Sequence, residues 1–401
     1  MPPPEPVLIC GLSGRALAQS ARAAGHAPIV LDAFGDLDTR AVAEAWARIP
    51  VDRSWRLARG ALLAAAGRLA PPPIPLVWAS GFERRTDLLR ELQAGRPGWG
   101  MPAAAVRALK EPLAFARLAH ELGIAHPAIR LTPPADPAGW LIKRCGAAGG
   151  GHVRRATARP PAGRGWYWQR MAAGRPVSAL VQGDGSTARL LGFSEQWAAP
   201  RAGARYRFAG AVAPAGLSEA AACRLSRWAE ALARRCGLRG LASVDALVAG
   251  DAVVLLEINP RPGASLDAYE RALGVNLFRL HREGCEGRLA AVAPSPRAVG
   301  GSAIVQAPRA SRVPAGFAWP AWTADRTPEG TRLAAGAPVC TVLAEGATAA
   351  ATRLLLAERT RLLLQGLGLA ERVRPVAGRS SSAGSASPDA RHATVPPGAA
   401  P

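Results

Sequence analysis

Short apolar runs alternate with amphipathic stretches along the chain, and their order predicts mixed α/β structure. Val7 to Cys10 reads as a strand, Gly11-Leu12-Ser13-Gly14 as a turn, and Arg15 to about Ala24 as a helix stopped by Gly25. A second strand runs from Pro28 to Leu31 and stops at Asp32. This β-α-β opening predicts a Rossmann-like topology. The turn lacks the spacing of the full GxGxxG fingerprint, so it gives little support to dinucleotide binding. Helical patterns follow at about Arg40 to Arg48 and Trp55 to Leu69, together with a Pro-rich stretch. Leu76 to Trp78 reads as another strand, and the first sheet is expected to stop near Gly100.

From Glu111 the pattern is helical, with Pro112 favourable in the first turn, Phe115, Leu118 and Leu122 on one face, and Gly123 closing it. A strand at Trp140 to Arg144 runs into the loop Cys145-Gly-Ala-Ala-Gly-Gly-Gly-His152. Trp166 to Gln169 is a short strand, and Val177 to Val181 pairs with Arg189 to Phe193 as a hairpin around Gly183-Asp184-Gly185. Ser218 to Cys236 is an amphipathic helix with Leu225, Trp228, Ala229 and Leu232 at helical spacing. Strands follow at Ala242 to Val248 and Ala252 to Asn259. A smaller unit from about Gly301 to Leu369 is strand-rich and then carries the leucine-rich helix Ala351 to Leu364. The tail from about Arg374 is Ser/Ala/Pro/Gly-rich, a composition that favours disorder.

Composition narrows the function. A chain of 401 residues buries substantial cores and is expected to form two to four folding units. The N-terminus has only a short apolar run and no basic leader, so a cytoplasmic protein without a membrane span is expected. The six cysteines are scattered, with no metal-type spacing, and are expected to be reduced thiols. A net charge of +21 invites a nucleic-acid reading, but the arginines are spread along the chain with no basic run or interleaved aromatics, which argues against it. Of the 50 basic residues all but two are arginine, and the exceptions are Lys110 and Lys143. Their survival in an arginine-biased sequence points to sites that need a compact ammonium on a flexible stem, such as phosphate coordination.

Three motifs carry chemistry. In Ser243-Val-Asp245 through Glu257-Ile-Asn259-Pro-Arg261, two strands about a turn near Gly250 and Asp251 place Asp245 opposite Glu257, with Glu257 and Asn259 on one face. Two carboxylates and an amide suit Mg²⁺ bridging nucleotide phosphates. An isolated set of this kind reads equally as a turn cap and an arginine-paired edge residue, but the apolar run Val253 to Leu256 draws Glu257 toward a buried sheet. The second motif is Lys143 with Gly149, Gly150 and Gly151, which offer backbone amides and close approach to a phosphate; the alternative is a surface turn. The third is Gln169 to Gly174 with Met171, either an adenine-framing strand or an ordinary core strand. His152 and His281 are isolated and read as ordinary polar residues.

In order and spacing, Lys110, Lys143 with its glycine loop, Gln169 to Gly174, and Asp245 with Glu257-Ile-Asn259-Pro-Arg261 resemble the ATP-grasp superfamily, over about residues 5 to 290. Asp32-Ala-Phe-Gly-Asp36-Leu-Asp38, Gly81-Phe-Glu83 and the stretch Gly336 to Gly346 look like the predicted carboligases distantly related to biotin carboxylase, a group near tyramine-glutamate ligase. The resemblance implies a Rossmann-like pre-ATP-grasp domain (1–103), ATP-grasp small (104–165) and catalytic (166–295) subdomains, a C-terminal α/β unit (296–373) and the tail (374–401). It implies ATP and Mg²⁺ as cofactors. Lys110, Lys143, Gly149, Gly150 and Gly151 would hold the phosphates, Gln169 and Met171 the adenine, Asp245, Glu257 and Asn259 the metal, and Arg261 the phosphoryl or acyl-phosphate charge. Where many relatives carry a ribose-binding glutamate, this chain has Arg175-Pro176. The implied function is carboxylate-amine ligation through an acyl phosphate, in synthesis of a one-carbon carrier cofactor, with a carboxylate and an amine as small-molecule partners and a homodimer as the oligomer to consider. The alternatives are bicarbonate activation as in biotin carboxylase, although no third lysine is left to carry biotin, and an ATP-binding regulator without turnover.

Overall fold

The computed structural model describes residues 3–157, 159, 161, 163–199 and 205–369; the tail from Arg374 lies outside them. β1 (Glu5–Cys10), α1 (Arg15–Ala23) and β2 (His26–Asp32) form the expected opening, and β3 (Ala45–Arg48) and β4 (Leu76–Trp78) complete a parallel sheet of order β3-β2-β1-β4. Val7, Leu8, Ile9 and Cys10 are fully buried, as expected for a parallel strand covered on both faces. Leu17, Ala18 and Ala21 bury the inner stripe of α1.

The helix expected over Arg40 to Arg48 is not formed. α2 (Leu37–Val42) ends at Ala43, which is extended, and Ala45-Trp-Ala-Arg48 pairs with β2 as an edge strand. Alanines favour helix locally, but sheet pairing and the alternating burial of this segment override that preference. α3 (Arg59–Leu69) starts later than expected. α4 (Thr86–Gln93) and α5 (Ala103–Lys110) were not foreseen, and the last of these carries Lys110 at its end. α6 (Pro112–Glu121) is capped by the Glu111 carboxylate, which accepts from Leu113 N and Ala114 N.

A small antiparallel sheet of order β5-β8-β6-β7 follows, from β5 (Ile129–Arg130), β6 (Trp140–Arg144), β7 (Arg154–Arg155) and β8 (Trp166–Arg170). The large sheet is antiparallel, in the order β13-β12-β9-β10-β11-β14-β18-β16. Its strands are β9 (Arg175–Asp184), β10 (Ala188–Ala198), β11 (Phe208–Ala213), β12 (Arg239–Ala249), β13 (Ala252–Asn259), β14 (Val299–Gln306), β16 (Thr323–Ala324) and β18 (Pro338–Gly346); β15 (Ser311–Arg312) pairs separately with β17 (Arg332–Leu333). α7 (Glu219–Arg235) packs on β9 and β10 through Leu225, Ala229 and Leu232. α8 (Leu266–Leu273) and α9 (Leu277–Cys285) follow β13, and α10 (Ala349–Gly366) packs on β18 and β14. All six cysteines are free, and no described helix is long and apolar enough to cross a membrane.

His281 on α9 is a core residue, 1% exposed. Its Nδ1 accepts from Leu241 N at 2.9 Å and its Nε2 lies 3.3 Å from Trp99 O, an arrangement that needs the neutral ring with the proton on Nε2. Burial lowers its pKa to about 4. Between that value and the ordinary histidine range, the unfolded chain binds a proton that the folded chain refuses, so this group's contribution to stability falls as pH drops, by about 1.4 kcal/mol per unit. Urea unfolding of wild type and His281→Gln at pH 6.5 and 5.0 should show the stability gap between them shrinking at the lower pH. A gap that does not change would contradict the assignment.

Candidate active site

The β12–β13 hairpin turns at Gly250 and Asp251, and its register sets Asp245 against Glu257 and Ser243 against Asn259. Asn259 Nδ2 donates to Asp245 Oδ2 at 2.9 Å and to Glu257 Oε1 at 3.3 Å, and Ser178 Oγ on β9 donates to Asp245 Oδ1 at 2.6 Å. Lys110 reaches in from the end of α5. Its Nζ lies 3.0 Å from Glu257 Oε2 and 2.7 Å from Asn259 Oδ1, so one carboxylate and an amide hold the ammonium, and Asp245 joins them through Asn259.

Glu257 faces the cleft with 40% of its side chain accessible. Partial burial works against its charge, but Lys110 and Lys143 outweigh it and hold the carboxyl at about 2. Asp245, partly buried and repelled by Glu257, is pushed up to about 6. Lys143, at the end of β6, is lowered from the lysine range by burial, with Glu257 opposing the shift.

The loop after Lys143 returns over the cleft. Gly149 and Gly150 have positive φ, 73° and 71°, and Gly149 O accepts from Phe208 N at 3.0 Å. A Cβ on Gly150 would lie 1.8 Å from Tyr206 O, so only glycine permits this approach. Gly151 has open space around it. His152 ends the loop with Nδ1 buried and without a hydrogen-bond partner among the described residues, and burial lowers its pKa to about 4. Gln169 is 1% exposed, with Nε2 3.4 Å from His126 Nε2, while Met171 N donates to Gly139 O at 2.8 Å. Arg175 turns to Glu195 Oε2 at 2.8 Å.

Arg261 is also buried. Its Nε donates to Glu83 Oε1 at 2.7 Å, Glu83 Oε2 accepts from Gly81 N at 2.8 Å, and burial of Glu83 is outweighed by Arg261 and Lys110, which keep its carboxyl low. Lys110, Lys143, Gly149, Gly150, Gly151, Gln169, Met171, Asp245, Glu257, Asn259 and Arg261 all line one cleft of about 1220 Å³, as do Glu83, His126 and His152; Arg175 does not. Ser178 and Glu83, which orient Asp245 and Arg261, carry no local signal of that role in the sequence: their partners lie 67 and 178 residues away.

Residues 114–265 match the family model of the ATP-grasp domain. Over that span the chain is similar to an ATP-grasp domain. Comparison with the curated proteins finds no match. Among solved structures, the chain is similar to a single-chain, multi-domain long-chain acyl-CoA carboxylase at 18% identity and a TM-score of 0.67, covering 89% of this chain and 39% of that chain. It therefore spans less than half of that protein. It is similar to biotin carboxylase from Campylobacter jejuni, in a β,γ-ATP complex, at 15% identity and a TM-score of 0.69, covering 90% of this chain and 91% of that one. It is also similar to an L-amino acid ligase from Bacillus licheniformis at 12% identity and a TM-score of 0.65, covering 89% and 97%. At these identities the likeness is one of fold.

The ATP-grasp cleft fits a hard divalent cation. Its donors are all oxygens, they already surround a positive charge, and Asp245 keeps a raised pKa that added positive charge would lower. Replacing Gly150 with Ala tests the loop. A left-handed backbone costs a side-chain residue about 1–2 kcal/mol, and the collision with Tyr206 O adds to it, so Gly150→Ala should weaken ATP binding by about tenfold or more. Gly149→Ala, with nothing nearby, should weaken it less. Equal affinities in a fluorescent-ATP titration would show that the loop does not close over nucleotide.

Proposed function

We propose that this chain is an ATP-dependent ligase that joins a carboxylate to an amine through an acyl phosphate. The observation that carries the reading is the linked Asp245–Asn259–Glu257 set, whose Glu257 and Asn259 oxygens hold the Lys110 ammonium, in one cleft with Lys143 and the glycine loop. Mg-ATP, when bound, supplies the phosphoryl group that makes the carboxylate an electrophile, and an amine then displaces phosphate. The protein's part is positioning and charge. Asp245, Glu257 and Asn259 would hold the metal, and Lys110 with Lys143 would supply positive charge to the phosphates. Gly149, Gly150 and Gly151 cover the phosphates and exclude water that would hydrolyse the acyl phosphate. Gln169 and Met171 frame the adenine, and Arg261, fixed by Glu83, faces the phosphoryl or acyl-phosphate charge. A need for ATP and six unpaired cysteines would suit a reducing, cytoplasmic setting.

Glutamate with an aromatic amine such as tyramine, in synthesis of a one-carbon carrier, is the first substrate pair to examine. Phosphate release from Mg-ATP should require one acid-amine pair, with the conjugate detected by mass spectrometry. Glu257→Gln should reduce release by about 100-fold, the scale of losing one charge-stabilising group in a reaction dominated by electrostatics. ATP binding by wild type without phosphate release from any pair would favour a nucleotide-binding regulator instead.

A further inference from the structure

The end of the cleft away from Glu257 has its own charge pattern. Arg15 is 2% exposed and its guanidinium is held by Asp267 at 2.6 and 2.7 Å and by Asp325 at 3.0 and 2.9 Å, with Asp38 at 3.8 Å. Asp38 accepts the backbone amides of Asp325 and Arg326, both at 2.9 Å, and Asp32 accepts those of Gly14, Phe34 and Gly35. Asp36 differs from these four. It is 3% exposed, it lines the cleft, and its Oδ2 is buried with no hydrogen-bond partner among the described residues.

Resting on the ligase reading, we propose that Asp36, with Asp325 and Asp267 beside it, forms the subsite for the amine substrate and takes it as a primary ammonium. Five carboxylates converge around one buried guanidinium that Asp267 and Asp325 already occupy. The other arginines here are turned to backbone carbonyls: Arg40 to Gly35 O, Arg48 to Ala33 O and Arg326 to Thr323 O. A buried carboxylate without a donor is costly, and a cation with N–H donors satisfies both its charge and its lone pairs. Burial, then Asp325, Asp32 and Asp38, push the Asp36 carboxyl up to about 9, so without a cation it holds its proton. A metal ion is a poorer candidate, because no group of three or more described His, Cys, Asp or Glu side chains is placed to hold one. The subsite is continuous with the segments that hold Asn259 and Arg261. The segment that leaves Asn259 continues through Arg261 and Ser265 to Asp267, all lining the cleft, and Leu12 and Ser13 connect Asp325 to the Gly81–Glu83 loop that holds Arg261.

The test is calorimetric titration of primary amines of graded length, tyramine among them, each against the alcohol that replaces its nitrogen with a hydroxyl, in the presence of Mg²⁺ and a non-hydrolysable ATP analogue. At least one amine should bind wild type more than about tenfold tighter than its alcohol, about 1.4 kcal/mol. Asp36→Asn should remove that preference while leaving binding of the ATP analogue and the melting temperature unchanged. Absence of amine binding to wild type, equal binding of amine and alcohol, or an unchanged preference in Asp36→Asn would each overturn the subsite. Failure of the ATP analogue to bind would count against the ligase reading instead and would leave the amine-versus-alcohol comparison in wild type still decisive for the subsite.

Discussion

A single ammonium, that of Lys110, is lodged between Glu257 and Asn259, and the arrangement around it depends on that charge. Two carboxylates on one hairpin face repel each other. Asn259 Nδ2 bridges them, and the Lys110 ammonium from α5 offsets the charge of Glu257. Under the proposed function, a cation arriving with nucleotide would take the place of that ammonium. The hairpin register, the Ser178 hydroxyl and the end of α5 all serve this one cluster.

Three ion pairs made by two buried arginines tie the parallel-sheet segment to the segments that follow this cluster in the chain. Arg261 pairs with Glu83, and Arg15 pairs with Asp267 and Asp325. Burying charges costs about as much as their attraction returns, so such pairs are poor sources of net stability. Their directional bonds instead fix where the loops meet. Glu83 aims Arg261 along the cleft, and Arg15 keeps Asp267 and Asp325 facing the same space. Rigid placement of this kind is what a reaction driven by positioning and charge requires.

Much of this was legible in the sequence where the signal is local. The period of two across Glu257 and Asn259, and the turn at Gly250 and Asp251, gave the hairpin register, and the apolar run before Lys143 located the end of β6. Lys110 was singled out by rarity, although the helix carrying it was not foreseen: Ala103 to Lys110 is short, and its fit depends on packing against α4 and α6. Ala45 to Arg48 was read as helix because alanine-rich composition hides an edge strand whose partner, β2, decides its form. Asp32, Asp36 and Asp38 stand in one legible motif, but their meeting with Arg15, Asp267 and Asp325 is not legible. These residues are separated by as many as 310 residues, and only the fold shows that one carboxylate among them, Asp36, has no partner at Oδ2.

The central claim is that Asp245, Glu257 and Asn259 bind a divalent cation together with nucleotide, displacing the Lys110 ammonium. Electron paramagnetic resonance titration of Mn²⁺ into the protein, with and without ATP, tests it most directly. The account predicts weak Mn²⁺ binding alone, tight binding at one site per chain with ATP, and loss of that site in Asp245→Asn. Equal ATP affinity with and without divalent cation, or a Mn²⁺–ATP site that survives Asp245→Asn unchanged, would contradict it.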